Sequence, residues 1–178
     1  MCSSDLIGHA PDAVVACRRA DELSQPREPA LVACTRLGFE DNVPTLLLPS
    51  ALALADEASE PESFVLAARA LAKADRAPAA AAVMERGIKA HGGDGSLVLV
   101  AARLRFEAGD LPAARALLAR GSENAFTLAQ RAEAELLLAD IADKAGDPEA
   151  AVVARARARM VQRRMQESSF NQTEGQRK

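Results

Sequence analysis

The chain has little of what most active sites are built from. Its 178 residues contain no Trp, no Tyr, five Phe and two His. Aromatic rings that stack on bases are therefore scarce, and His9 and His91 alone do not favour a histidine-based metal site. GxSxG, HExxH and the phosphate-binding glycine-rich loop are all missing from the sequence. We therefore predict no catalytic residues, no metal and no cofactor.

Cysteine is also sparse. Cys2, Cys17 and Cys34 are the three cysteines, and none forms a CxxC pair. Cys17 and Cys34 stand in similar Ala- and Val-rich contexts, so we expect each to fill a small apolar core position. A disulfide or redox pair between them is the alternative.

Long apolar runs are missing as well. The longest candidate, Val43 to Ala55, is interrupted by Pro44 and Pro49, and a membrane-spanning helix needs about 20 apolar residues. We expect no membrane span and a cytoplasmic location. The net charge of −3 argues against a nucleic-acid partner. Residues 150–178 nevertheless carry +5 against −8 in the rest. This basic end is either a solvated helix or a surface that meets an anionic partner.

The first six residues, 1–6, suggest a non-natural origin. Met1-Cys2-Ser3-Ser4-Asp5-Leu6 is what GTG-TGC-TCT-TCC-GAT-CT, a sequencing adapter, encodes if GTG serves as the start codon. Our hypothesis is that a bacterial gene was cut at a contig edge and that its true N-terminus is missing. Such residues are excluded from fold reasoning.

Ala and Leu dominate what is present, and both favour helix. Within 7–58 we predict a helix from Pro11 to about Leu23 and a second from about Pro29 to Leu37. Gly38 is placed to end the second helix in a left-handed cap. A third helical stretch runs from Val43 to Ala58, with Pro49 expected to kink or split it.

A clearer pattern begins at Ser59. Ser59-Glu60-Pro61-Glu62 has the residues of a capping box with Pro in the first turn. Helical segments then alternate with short breaks up to about Arg164. His91-Gly92-Gly93-Asp94-Gly95 is one such break, which we interpret as a helix cap and turn. The polar end, residues 168–178, is predicted to be disordered.

Three of the breaks repeat. They are Ala74-Asp75-Arg76-Ala77-Pro78-Ala79-Ala80, Ala108-Gly109-Asp110-Leu111-Pro112-Ala113-Ala114 and Ala145-Gly146-Asp147-Pro148-Glu149-Ala150-Ala151. Their closing alanines lie 34 and 37 residues apart. Small residues recur around them at fixed spacing, where two helices can approach closely. These small positions are Ala68, Ala80, Gly87, Ala102, Ala114, Gly121, Ala139, Ala151 and Ala158.

On these features the chain resembles the tetratricopeptide repeat family, a 34-residue helix-turn-helix repeat. The resemblance implies an all-α fold, a right-handed α-solenoid of antiparallel helix pairs, with three repeats in 59–167. Residues 7–58 would be degenerate repeats or HEAT-like pairs. The family's aromatic residues are mostly absent. The third copy is three residues too long, either in the loop at Ser122–Thr127 or through an extra helical turn.

The resemblance also implies a function. Extended peptides or helices would bind a concave face lined by the first helix of each pair, so we expect a non-catalytic scaffold for protein–protein or protein–peptide binding. The alternative is the C-terminal regulatory region of a larger enzyme or membrane protein. The candidate binding residues are Arg69, Lys73, Arg103, Phe106, Glu107, Asp140, Asp143 and Lys144. Ordinary solvated helix faces would also explain them. The basic helix after Ala154 is expected to be the polar cap that terminal repeats require.

Overall fold

The computed structural model describes residues 10–121 and 126–175, and within these ranges the protein is all-helical, with neighbouring helices packed together. Residues 1–6, the predicted adapter, lie outside the described residues. No described helix is long and apolar enough to cross a membrane. The helices are α1 Ala10–Leu23, α2 Glu28–Glu40, α3 Pro44–Glu57, α4 Pro61–Lys73, α5 Ala77–His91, α6 Gly95–Glu107, α7 Leu111–Arg120, α8 Leu128–Lys144 and α9 Pro148–Gly175.

One turn geometry joins the helices two by two. Two residues after the end of α2, α4, α6 and α8 stands a residue with positive φ: Asn42 (54°), Asp75 (58°), Gly109 (81°) and Gly146 (77°). The next residue donates its backbone N–H to a carbonyl five residues back, with N···O distances of 2.9–3.1 Å. This is the Schellman arrangement, which satisfies carbonyls at a helix end. The helix pairs are therefore α2/α3, α4/α5, α6/α7 and α8/α9.

The first of these pairs is built like the others. Asn42 occupies the turn position that Asp75 and the two glycines hold, and Pro44 enters the first turn of α3, as Pro112 does in α7 and Pro148 in α9. Asn and Asp tolerate the left-handed conformation better than other non-glycine residues. Residues 28–57 therefore form a fourth helix pair, where the sequence left their organisation open.

The chain divides into two compact units, Met1–Ala90 and His91–Lys178. In the first unit, α2 packs on α3, both pack on α4, and α1 packs on α2. The fully buried residues include Leu54 and Leu71, each 0% exposed. In the second unit, α6 packs on α7, both pack on α8, and α8 packs on α9. Its core gathers around seven buried residues: Leu99, Ala102, Ala114, Leu118, Ala134, Leu137 and Ile141.

The small residues predicted at helix crossings lie in contacts. Eight of the nine are buried, and Gly121 is half-buried beside Phe126. Each buried alanine costs little side-chain entropy and lets two helices approach. α8 has 17 residues where α6 has 13, which is four more, and it begins seven residues after Gly121, whereas α6 begins eight residues after Gly87. The net excess of three residues therefore falls in the helix; residues 122–125 of the alternative loop lie outside the described residues.

Three local predictions were wrong. Gly38 does not end α2; it lies inside the helix, where a Cβ would come within 2.9 Å of the Leu47 backbone. Close approach of α3, not chain reversal, therefore requires glycine there. Ser59 does not cap α4, whose N-cap residue is Glu60. Residues 168–175 are not disordered but continue α9, because no proline or glycine interrupts the chain between Pro148 and Gly175.

Candidate protein-binding surface

The first helix of each pair carries a charged, solvent-exposed residue at one fixed position. Arg36, Arg69, Arg103 and Asp140 are all exposed, and each lies six residues before the positive-φ turn residue of its pair. We call the exposed side chains of α2 and α4 in the first unit, and of α6 and α8 in the second, the first-helix face. Arg36 was missed from the sequence because the turn at Asn42 has neither of the Gly-Asp residues used to find repeats.

Lys73 lies on this face, but it is engaged within the protein. Its Nζ donates to the backbone carbonyl of Phe39 at 2.6 Å and lies 4.9 Å from the centroid of the Phe39 ring. A cation over an aromatic face and at a helix C-terminus is stabilised twice, by the ring quadrupole and by the helix dipole. Lys73 therefore ties the end of α4 to the end of α2.

Phe106 and Lys144 repeat this arrangement in the second unit. Lys144 Nζ lies 4.8 Å from the Phe106 ring centroid and 3.4 Å from the Phe106 carbonyl oxygen. Phe106 is half-buried and packs against the core of its unit. These two predicted binding residues thus form a contact between α6 and α8, equivalent to the one between α2 and α4.

Two more predicted residues are in ion pairs. Arg103 donates to Glu133 at 2.9 Å, joining α6 to α8 with both side chains about half exposed. Asp143 accepts from Arg155 of α9. Exposed pairs of this kind contribute little to stability, so a ligand could displace either partner at low cost.

The remaining predicted residues are Arg69, Glu107 and Asp140. All three are exposed, and none has a hydrogen bond or ion pair among the described residues. Arg69 lies on α4 and Arg36 on the adjacent α2, where Arg36 Nε is 3.8 Å from a Glu40 carboxylate oxygen. The first unit thus presents two guanidinium groups on neighbouring helices, and a guanidinium binds carboxylates in a bidentate geometry.

Glu28, on α2, forms hydrogen bonds to the backbone at the N-terminal end of α4. Its carboxylate accepts from the backbone N–H of Ser59 at 3.0 Å and of Glu60 at 3.4 Å, and from the Ser59 hydroxyl. Desolvation alone would raise the pKa of Glu28, but hydrogen bonds from Ser59, Ser63 and these amides outweigh it and lower the pKa to about 2. A carboxylate from α2 therefore binds the backbone just before α4, where the sequence predicted a cap by the Ser59 side chain.

The His91–Gly95 segment is structural, as predicted. Gly92 and Gly93 have positive φ, and Asp94 caps α6 by accepting from the amides of Ser96 and Leu97. The pKa of Asp94 is lowered. Desolvation alone would raise this pKa, but hydrogen bonds from Ser96 and Leu97 and the nearby His91 outweigh it. An ionised carboxylate at a helix N-terminus is stabilised by the helix dipole.

One position that α3, α5 and α7 fill with a buried apolar residue carries an arginine in α9. Nine residues after the turn residue stand Ala51 in α3, Met84 in α5 and Leu118 in α7, all at most 5% exposed. The equivalent residue in α9 is Arg155, whose side chain is 39% exposed. Four residues later, buried Ala55 of α3 is replaced in α9 by exposed Arg159.

The comparisons with known proteins give no relative. No family model matches the chain, and neither the curated proteins nor the solved structures contain a match.

Proposed function

We propose that this protein is a non-catalytic repeat scaffold of the tetratricopeptide type, which binds a peptide or helical segment of another protein on the first-helix face of its first unit. The observation that carries the proposal is a Schellman turn that recurs four times between successive helices, together with the same three-helix packing in each compact unit, α2/α3/α4 in the first and α6/α7/α8 in the second. Repeated helix pairs bury a continuous core and leave one set of helices free for ligands.

The charges of the first-helix face indicate which of its residues would bind. Lys73 and Lys144 already stabilise helix ends, so their loss would affect folding as well as binding. Arg69 is exposed and has no partner among the described residues, and Arg36 lies on the adjacent helix. We therefore propose that the first unit binds a segment that carries an acidic side chain or a terminal carboxylate.

A peptide-display selection against the intact chain, followed by fluorescence anisotropy with the selected peptides, tests this proposal. Arg69→Glu should weaken binding of acidic peptides by at least tenfold. Arg115→Glu, which reverses an exposed charge on the second helix α7, should leave the affinity unchanged. Far-UV circular dichroism checks that both variants remain folded. Selected peptides that bind both variants equally would rule out the first-helix face as the binding surface.

A further inference from the structure

A covalent bond between two side chains joins α1 to α2. Cys17 of α1 and Cys34 of α2 are joined by a disulfide, with their Cα atoms 5.6 Å apart, a separation that disulfides commonly span. The expectation that both cysteines fill core positions is therefore wrong for Cys17, which is half-buried, whereas Cys34 is only 4% exposed. The alternative, a bonded pair, is what the structure contains.

Hydrophobic burial contributes little to holding α1. None of its described side chains is buried, and Val15 and Leu23 are 62% and 77% exposed. Together with Ala16, Arg19 and Ala20 they line an open concavity on the outer side of the helix. An isolated helix of 14 residues is marginal in water. The position of α1 must therefore depend on specific bonds.

Those bonds lie at two places. At the C-terminal end of α1, Arg27 donates to both carboxylate oxygens of Asp21 at 2.9 Å and also reaches Glu57 at 3.2 Å. Arg27 is 39% exposed in its side chain, so this pair is worth little on its own. In the middle of α1, a disulfide bonds the helix to α2, in addition to the connecting chain of residues 24–27.

The surface beneath α1 belongs to the core. α2 contributes Leu31, Cys34 and Thr35, which are 2%, 4% and 0% exposed. The remaining core of the first unit includes Leu54, Phe64 and Leu71, which are contributed by α3 and α4. α1 also stands beside α2 as α3 stands beside α4, in the position that a preceding second helix would occupy.

We propose that the Cys17–Cys34 disulfide is a redox-controlled latch, which a dithiol reductant opens to release α1 and uncover the side of α2. The thiolate of the dithiol attacks the more accessible sulfur, Cys17 Sγ. The S–S bond breaks, and its electron pair leaves on Cys34 Sγ, which takes up a proton. The second thiol of the reductant then attacks the mixed disulfide, releasing Cys17 as a thiol and leaving the reductant as its own disulfide.

Hydrogen exchange measured by mass spectrometry tests the latch on the full chain carrying Cys2→Ser, so that only two thiols remain. Thiol titration in denaturant should find none in the oxidised protein and two after dithiothreitol. Reduction should speed amide exchange in 10–23 by at least tenfold and leave α4 and α6–α9 unchanged. A variant with Cys17→Ser and Cys34→Ser in addition should exchange like the reduced protein, with or without dithiothreitol.

Three results would overturn the proposal. Two free thiols in the protein before reduction would show that the bond does not form. Unchanged exchange in 10–23 after reduction would show that other contacts hold α1. Faster exchange across α2–α5 together with α1 would show that the bond holds the whole first unit together, which is a structural role and not a latch.

Discussion

At the scale of single residues, the four Schellman turns show that different residue types adopt the same left-handed backbone conformation. Gly109 and Gly146 reach positive φ without cost, whereas Asn42 and Asp75 adopt it at some expense in conformational energy. The glycines have open space around their Cα atoms. Any penalty for replacing them is therefore conformational and not steric.

Gly109→Ala should lower the free energy of unfolding by about 1–2 kcal/mol, because alanine at a φ of 81° is strained. Asp75→Gly replaces a non-glycine residue by glycine at the equivalent turn position, so we expect the free energy of unfolding to rise. Urea denaturation followed by circular dichroism measures both. Equal destabilisation by the two substitutions would contradict the assignment of these positions as equivalent left-handed turns.

Glu28 shows how a residue distant in sequence can complete a helix terminus. Its pKa is lowered to about 2 from 4.5, so its contribution to stability is complete above pH 4.5. That contribution is lost as the pH falls towards 2, because the folded state must then accept a proton on a hydrogen-bonded carboxylate.

Glu28→Gln should lower stability by about 1 kcal/mol at pH 7, the usual cost of losing a helix cap. It should also flatten the dependence of stability on pH between 4.5 and 2. Thermal denaturation at a series of pH values checks both effects, with Glu22→Gln on α1 as the matched control. If the control and Glu28→Gln lose stability in parallel as the pH falls, Glu28 is not the group responsible.

At the scale of the helix, contacts between first helices are made by repeated pairs. Lys73 with Phe39 and Lys144 with Phe106 each join the C-terminal ends of two successive first helices. The sequence interpretation placed Lys73, Phe106 and Lys144 in a binding groove from their spacing along the chain, which does not show these contacts between helices.

Lys73→Met keeps the aliphatic length of the side chain and removes the charge, so it should cost about 1 kcal/mol through the lost cation–π contact and carbonyl hydrogen bond. Lys89→Met, on an exposed position of α5, should be close to neutral. Chemical denaturation at low and high salt distinguishes the two. A loss of stability that is the same in both variants would mean that the Phe39 contact contributes nothing.

At the scale of the whole molecule, α9 differs from the other second helices in the residues it presents at their buried positions. Positions that α3, α5 and α7 fill with buried Ala51, Met84 and Leu118 carry Arg155 in α9. A charge at this position opposes the stacking of a further helix pair, since burying it without a partner is costly. That the basic helix is a polar cap stays a prediction, and substitution of its arginines tests it.

Combining Arg155→Leu with Arg159→Ala restores the residue types that α7 and α3 bury at these positions. We expect the variant to self-associate in a concentration-dependent way, because its exposed face would then resemble a stacking surface. Sedimentation velocity over a range of concentrations measures this, with Arg157→Ala, at an exposed position, as the control. A variant that keeps the oligomeric state of the unsubstituted protein would mean that these arginines do not cap the array.

Much of the fold was predictable because its signals are local. Helix formation follows from an Ala- and Leu-rich chain with few β-branched and aromatic residues, and the turns at Asp75, Gly109 and Gly146 follow from residues a few positions apart. Small residues at fixed spacing likewise indicated close approach between helices, and eight of the nine are buried. The candidate residues of the first-helix face were identified by the same periodicity.

The tertiary structure decided what depends on residues far apart in the chain. It paired Cys17 with Cys34, gave the cap of α4 to Glu28 instead of Ser59, placed Gly38 against Leu47, and engaged Lys73 with Phe39. In each case the partner comes from another helix, so no pattern within one segment can show it. The sequence by itself determined that the chain forms repeated helices; only packing determined which side chains hold those helices together and which remain exposed.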